Sequence, residues 1–461
     1  METHHFRQEL ILKFSSPILF YFLLSVFVGT AAHSQALNSK IHNQYNSIRA
    51  MGMGNAFTAV ADDYSLLFYN PAGFGFKKNG EVQFSLFGLG LGNKITQLAK
   101  DISDAEKSST LEADKINAIS AVMDKYYGNP FSARMQVVEL FWVRPNWGFA
   151  LLPVDLSVDI GINKQVGPAL DLDLKKDTTF AFGYGQKLDD ELSVGGTIKA
   201  IHRGSVAQSI PVLELAANSD VLSSKRFKEG LSIDLDLGVM YKPRWFGTNE
   251  SRKPAQVTPK KEEETEVTAD AKTENLGLQV NENDPKKDQT ATDAKIEDTN
   301  IKKQIEKVDD KDEVEYNTPL TLSAVARNVF GGNFAKTKFL NKDAVDAPER
   351  NPFVIDLGSA YEVWSYGGQT LKTTLDARDL LHPSNNTMLK GLHLGVEYDF
   401  SPSGWLKAQA RAGINQGYFT AGFSFLLGVL TIDAVTFGEE VGTSTTKVES
   451  RMYALKLGFG F

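Results

Sequence analysis

The chain contains no cysteine, which excludes a disulfide scaffold, a thiolate metal site, a cysteine nucleophile and a lipid-anchored lipoprotein. Long apolar runs are also scarce. The longest candidate, residues 17–28, falls short of the roughly 20 apolar residues that a helix needs to cross a bilayer. A later run, 421–430, is interrupted by Gly422 and Gly428. Local signatures of common enzymes are missing too. There is no His-Glu-x-x-His, and His42, His202, His382 and His393 are scattered. The Gly52-Met53-Gly54 and Gly88-Leu89-Gly90-Leu91-Gly92 pieces lack the Gly-Lys-Ser/Thr ending of a phosphate loop. No Gly-x-Ser-x-Gly elbow supports a serine hydrolase. With a formal net charge of -8, nothing points to nucleic acid. The expectation is a protein that is not an enzyme and carries no cofactor or metal.

At 461 residues the chain has room for two or three soluble domains or for one large barrel. Glycine and aromatic residues are plentiful and evenly spread, as many tilted strands with tight turns would require. Arg7 and Lys13 precede the apolar run at 17–28, and Ala32-His33-Ser34 follows as a processing site. This pattern predicts a signal peptide over 1–34, cleaved near Ser34, and therefore export. A membrane protein without spanning helices has to be a closed barrel, because lipid offers the backbone no other hydrogen-bond partners.

From Glu81 onward, segments of about ten residues alternate with period two. Tyr453, Leu455, Leu457, Phe459 and Phe461 oppose Ala454, Lys456, Gly458 and Gly460. Leu231, Ile233, Leu235, Leu237 and Val239 likewise oppose Ser232, Asp234, Asp236 and Gly238. A soluble sandwich also alternates, but a last strand ending on an aromatic residue matches the insertion signal of outer-membrane barrels. About fourteen strands can be counted, an even number as bacterial barrels require. The expected fold is all-β, an antiparallel transmembrane β-barrel with an N-terminal helical hatch in its lumen. Its parts are a hatch or plug at 35–80, strands 1–6 over 81–246 and strands 7–14 over 317–461. Parity makes 93–133, 161–177, 204–228, 332–351 and 439–449 external connections. Spacings of three and four among Ile95, Leu98, Ile102, Ile116, Ile119 and Met123 predict two amphipathic helices in 93–133 over the outer mouth.

The region 247–316 breaks the pattern. Over 247–315 it has 19 acidic and 12 basic residues and no aromatic, a composition that cannot bury enough apolar surface to order itself. It reads as a disordered insertion, periplasmic by parity, either a tether to a periplasmic partner or a tolerated loop.

Residues 47–76 are too long and too apolar for a linker. They hold Met51-Gly52-Met53-Gly54, an Ala-rich middle, Asp62-Asp63 and an Asn70-Pro71-Ala72-Gly73 turn. Mixed charges on the inward faces suggest ion pairs between plug and wall, with Arg49, Asp62 and Asp63 on the plug and Asp376, Arg378 and Arg411 on the wall. The run from Ile48 to Asp63, with Tyr69-Asn70-Pro71-Ala72-Gly73, resembles the hatch signature of the FadL-like outer-membrane barrels, nearest the PorV and conjugal TraF-like branches. The likeness continues in Ala326-Arg327-Asn328-Val329, in 375–380 and in 411–418. It implies a fourteen-stranded barrel in the outer membrane of a diderm bacterium, passing a hydrophobic, fatty-acid-like molecule through a lumen gated by Met51, Gly52, Met53, Gly54, Asn70, Pro71, Ala72 and Gly73. Partners implied are outer-membrane lipid, that ligand and, as in PorV-like scaffolds, a secreted or periplasmic protein. A plain diffusion channel is the third possibility.

Overall fold

The computed structural model describes residues 40–41, 45–108, 111–163, 168–217, 226–244, 318–384, 388–403, 405–442 and 447–461. The expected leader at 1–34 and the charged insertion at 247–316 lie outside them. What is described is a closed barrel of fourteen antiparallel strands. These are β1 (Glu81–Gly92), β2 (Phe131–Arg144), β3 (Trp147–Asn163), β4 (Ala169–Lys187), β5 (Leu192–Pro211), β6 (Lys228–Tyr241) and β7 (Leu320–Arg327), followed by β8 (Val354–Tyr366), β9 (Gln369–Leu380), β10 (Leu392–Ser403), β11 (Leu406–Asn415), β12 (Tyr418–Leu427), β13 (Leu430–Glu440) and β14 (Glu449–Gly460). Each strand pairs with its chain neighbour, and β1 pairs with β14 to close the ring. Closure leaves no unpaired edge for lipid to meet.

Period-two alternation sets which side chains meet lipid. Ile233, Leu237, Leu375, Val396, Ile414 and Leu455 are exposed on the outer surface, while Asp234, Asp236, Asp376, Glu397, Arg411 and Lys456 on the same strands are buried inside. Around one end of the barrel, Trp142, Trp147, Tyr184, Trp364 and Tyr366 are exposed as an aromatic girdle, the usual arrangement at a membrane interface. That end also carries the short turns 145–146, 367–368 and 428–429. The long connections 93–130, 328–353 and 381–391 lie at the other end, together with the tight hairpin at Gln416 and Gly417, whose φ values of 55° and 90° suit its two central positions.

Strands β3, β4 and β5 have 17, 19 and 20 residues, against the roughly 9–11 that span a bilayer. The stretch expected as a connection at 161–177 is therefore largely strand, and so is the start, 204–211, of the one expected at 204–228. The wall stands clear of the membrane here, so its cavity side can be charged, and that charge reads as loop. The projecting outer face would expose Ile162, Leu170, Leu172 and Ile210 to water. Instead these residues are buried with Leu98, Ala105, Ile119, Met123 and Tyr126.

Among the described residues, three short helices lie N-terminal to β1: α1 (Ile48–Gly52), α2 (Leu66–Tyr69) and α3 (Gly73–Phe76). The covering pair is α4 (Ile95–Lys107) and α5 (Glu112–Tyr126). Lys125 and Tyr126 on α5 both reach Asp101 on α4, at 2.7 and 2.9 Å. The sequence placed these helices over the outer mouth. They lie instead against the outer face of the projecting wall, because the apolar residues they cover point away from the cavity.

Candidate functional site

Residues 45–76 pack against inward-facing side chains of the barrel, and small residues make their seat. A Cβ at Gly185 or Gly195 would collide with the Pro71 carbonyl, one at Gly238 with Asn70 Oδ1, and one at Gly395 with the Met53 carbonyl. Main chain therefore lies directly on main chain. An irregular segment held inside a wall needs partners for its own peptide groups, and charged wall residues supply them. Asp376 accepts the N–H groups of Phe57 and Thr58 at 2.8 and 2.7 Å. Arg378 donates to the Asn55 carbonyl at 3.0 Å. Arg327, fully buried, donates to the carbonyls of Phe68 and Tyr69 while its Nε sits 2.6 Å from Asp356. His393 Nδ1 lies 2.8 Å from the Gly54 carbonyl, and Thr420 Oγ1 accepts from Gly54 N–H and donates to the Gly52 carbonyl.

The six residues named for ion pairing fall into two groups. Arg49 makes a two-pronged contact with Glu397 at 2.6 and 2.7 Å and also reaches Asp62 and Asp63 at 2.6 and 3.0 Å. Arg411 joins the same Glu397 at 2.8 Å, and Lys372 meets Asp62 at 2.9 Å. Asp63 thus pairs with Arg49 rather than with Arg411. The second group, Asp376 and Arg378, grips backbone of the inner segment rather than its charges. Among the gating candidates, Met51 is buried against Ile48, Val435, Phe437 and Met452, and Met53 lies in the main core. Asn70 donates to the carbonyls of Thr58 and Val239, and Ser193 holds the Ala72 carbonyl at 2.6 Å. Sequence reasoning assigned no site role to Arg327, Asp356, Glu139 or Lys456. The available signal was a charge on an inward strand position, which marks both a water-filled lining and a buried grip.

Among the described residues, two spaces flank the inner segment. The larger has an empty volume of about 1270 Å³, part of it open to solvent. Ile48, Met51, Phe68, Leu152, Phe437 and Met452 give it an apolar side. Its polar side includes five cations, each beside a carboxylate. Arg134 pairs with Asp159, Lys40 with Asp159 and Glu439, Lys175 with Asp173, Lys199 with Asp236 and Arg203 with Asp177. The smaller space, about 660 Å³, is lined by Arg49, Tyr64, Gln83, Lys407, Arg411 and Asp433 among others. Four rings stand between them. Phe141 lies 5.5 Å from Tyr45, 4.7 Å from Tyr64 and 6.1 Å from Phe68, and Tyr45 lies 4.9 Å from Phe68. Lys456 sits over Tyr45 and Tyr64 at 5.7 and 5.8 Å and pairs with buried Glu139.

The wall beside the larger space is irregular. The ladder skips a residue in β1 between Ser85 and Phe87 and breaks between β2 and β3 after Val137 and Val154. A third shift falls between β3 and β4, at Leu152 and Asp155. Val138 has φ 56°, and Pro153, which has no N–H to offer, sits in the break. Three neighbouring strands are therefore bulged at one level, and bulges bend a sheet and end its pairing locally.

No family model matches the chain, and no curated protein matches it. Among solved structures it is similar to the CymD monoaromatic hydrocarbon channel, at 8% identity over 89% of this chain and 96% of that one, with a TM-score of 0.42. The toluene transporter TbuX of Ralstonia pickettii shares 9% identity over 91% and 98%, with a TM-score of 0.41. A FadL homologue of Pseudomonas aeruginosa shares 8% over 91% and 98%, with a TM-score of 0.38.

Proposed function

We propose that this is an outer-membrane barrel that takes an uncharged hydrophobic small molecule into the larger space and passes it through the bulged wall of β1–β3. The carrying observation is the character of that space: an apolar side facing a wall whose cations each already have a carboxylate within 4 Å. A ligand carboxylate would have to break one of these pairs and be desolvated as well. An uncharged molecule meets no such opposition, so a fatty acid is the poorer fit of the two.

In this reading the inner segment is a fixed plug. Asn70 to Gly73 rest on glycine and are held by Ser193 and by main-chain carbonyls, which makes them anchors rather than the moving gate. The passage lies sideways, where the ladder is already broken and opening it breaks few further hydrogen bonds.

Purified barrel in liposomes tests this by comparing uptake of a medium-chain alcohol or alkylbenzene with that of the carboxylate of equal length. Uptake of the uncharged compound should lead by tenfold or more, and equal rates would refute the charge argument. The cysteine-free chain permits a second arm. A Val137→Cys/Val154→Cys pair, registered partners beside the break, should slow uptake when oxidised and restore it when reduced. Unchanged uptake in the oxidised form would remove the lateral route.

A further inference from the structure

The connection between β7 and β8 contains a built element that transport does not use. Its two-residue strand, Ala335–Lys336, pairs with Gly230 and Leu231 of β6. The carboxylate of Glu229 fastens the following turn. It accepts the N–H groups of Phe339, Leu340 and Asn341 at 2.6 to 3.1 Å and the Thr337 hydroxyl at 3.2 Å, and it lies 2.9 Å from His202 Nε2. Glu229 and His202 are on the outward faces of β6 and β5, since Ser232, Asp234 and Arg203 mark the inward positions. Yet Glu229 is 0% exposed. The element is thus a flap laid on the outside of the barrel, with a buried carboxylate as its rivet.

What the flap presents is apolar. Phe339 is 77% exposed, and Leu340 and Val345 are also exposed, alongside Lys336, Lys338 and Lys342 and the acidic Asp343 and Asp346. Its height on the wall follows from the strand. β6 has its other end at Tyr241, ten residues from Leu231, which is about the length of strand that crosses a bilayer. The flap therefore stands where β6 leaves the hydrocarbon on the side of the long connections, continuous with lipid-facing Leu231 and Ile233. Aromatic and aliphatic side chains flanked by lysines fit the boundary between acyl chains and headgroups.

We propose that residues 335–345 form an interfacial anchor whose partner is lipid of the outer leaflet, with Phe339 and Leu340 entering the acyl region. A fixed anchor beside β5 and β6 would set the depth and tilt at which the barrel sits. No native thiol competes, so a single nitroxide at Phe339→Cys can be read in vesicles of outer-membrane lipid extract. It should be reached by oxygen and shielded from a water-soluble nickel chelate, as a label at Ile233→Cys is. If it is reached by nickel as readily as a label on Asp104→Cys of helix α4, the proposal fails. Glu229→Gln in the Phe339→Cys background should narrow the spectrum by freeing the turn while the sheet signal in circular dichroism stays unchanged. An unaltered spectrum would show that the carboxylate does not hold the flap. A label shielded from both reagents, as under a bound protein, would also overturn the lipid assignment.

Discussion

Arg327 is the wall residue whose loss should unseat the inner segment. Its guanidinium is fully buried and holds the Phe68 and Tyr69 carbonyls while pairing with Asp356 at 2.6 Å and lying 3.7 Å from Asp236. Arg327→Met keeps the bulk and removes every donor. Breaking a buried ion pair from one side costs about 3–5 kcal/mol. Two features here reduce it: Asp356 keeps the Asp379 N–H at 2.7 Å and Arg378 at 3.5 Å, and Asp236 keeps Lys199 at 2.7 Å. Against that, two buried carbonyls lose their donor, at about 1 kcal/mol or more each. The net expectation is about 3–4 kcal/mol, or roughly 100-fold or more in the opening equilibrium at 1.4 kcal/mol per decade. The change should appear where Arg327 acts. Trypsin cleavage after Arg49, near the start of the segment, and after Lys77, just past its end, should speed up about 100-fold in detergent-folded protein, with the strands still resistant. Arg327→Lys should fall between, keeping the charge but not the fork. A loss below about 1 kcal/mol in urea unfolding, with cleavage unchanged, would refute the idea that this side chain seats the segment.

Three further outcomes follow from the same contacts. Phe141→Ala removes the ring that touches Tyr45, Tyr64 and Phe68; it should cost about 3–5 kcal/mol and raise single-channel conductance in planar bilayers, where the parent barrel should stay closed. Gly238→Ala drives a methyl into Asn70 Oδ1 and should lower stability by about 1–3 kcal/mol, read as earlier loss of heat-modifiable migration on gels. The Asp101 carboxyl is held below its ordinary range by hydrogen bonds from Lys125 and Tyr126. A lowered folded-state pKa means its support of the α4–α5 pair is present above about pH 4 and is lost as pH falls through the folded value. Hydrogen exchange over 95–126 should therefore accelerate only in acid, and Asp101→Asn should abolish the pH dependence.

The barrel was legible because lipid and lumen impose opposite chemistries on alternate residues, and Leu231 to Val239 carries that alternation almost without a break. Strand ends were less so. Beyond the bilayer the outer face no longer answers to lipid, and the Lys175 and Asp177 positions of β4 look like loop although they line the cavity. Arg49, Asp62 and Asp63 could be chosen as plug charges, but their partners could not. Whether an inward carboxylate such as Glu397 or Asp376 meets a cation or a peptide N–H depends on the path of the inner backbone, which no spacing reveals. The bulges at Leu86 and Val138 leave almost no mark, since a pair of apolar residues both facing lipid resembles an ordinary slip of pattern.

The grip of the wall on the inner segment also orders events in time. Arg49 waits for Glu397, 348 positions later in the chain, and Tyr45 waits for Lys456. The earliest part of the segment to be made is thus the last to find its charged wall partners, because no subset of early strands contains them. Until β13 and β14 arrive, Ile48 and Met51 lack Val435, Phe437 and Met452, against which they are buried. Such distant pairings make assembly slow, and a holding chaperone would have its longest engagement with residues 45–51 rather than with any strand.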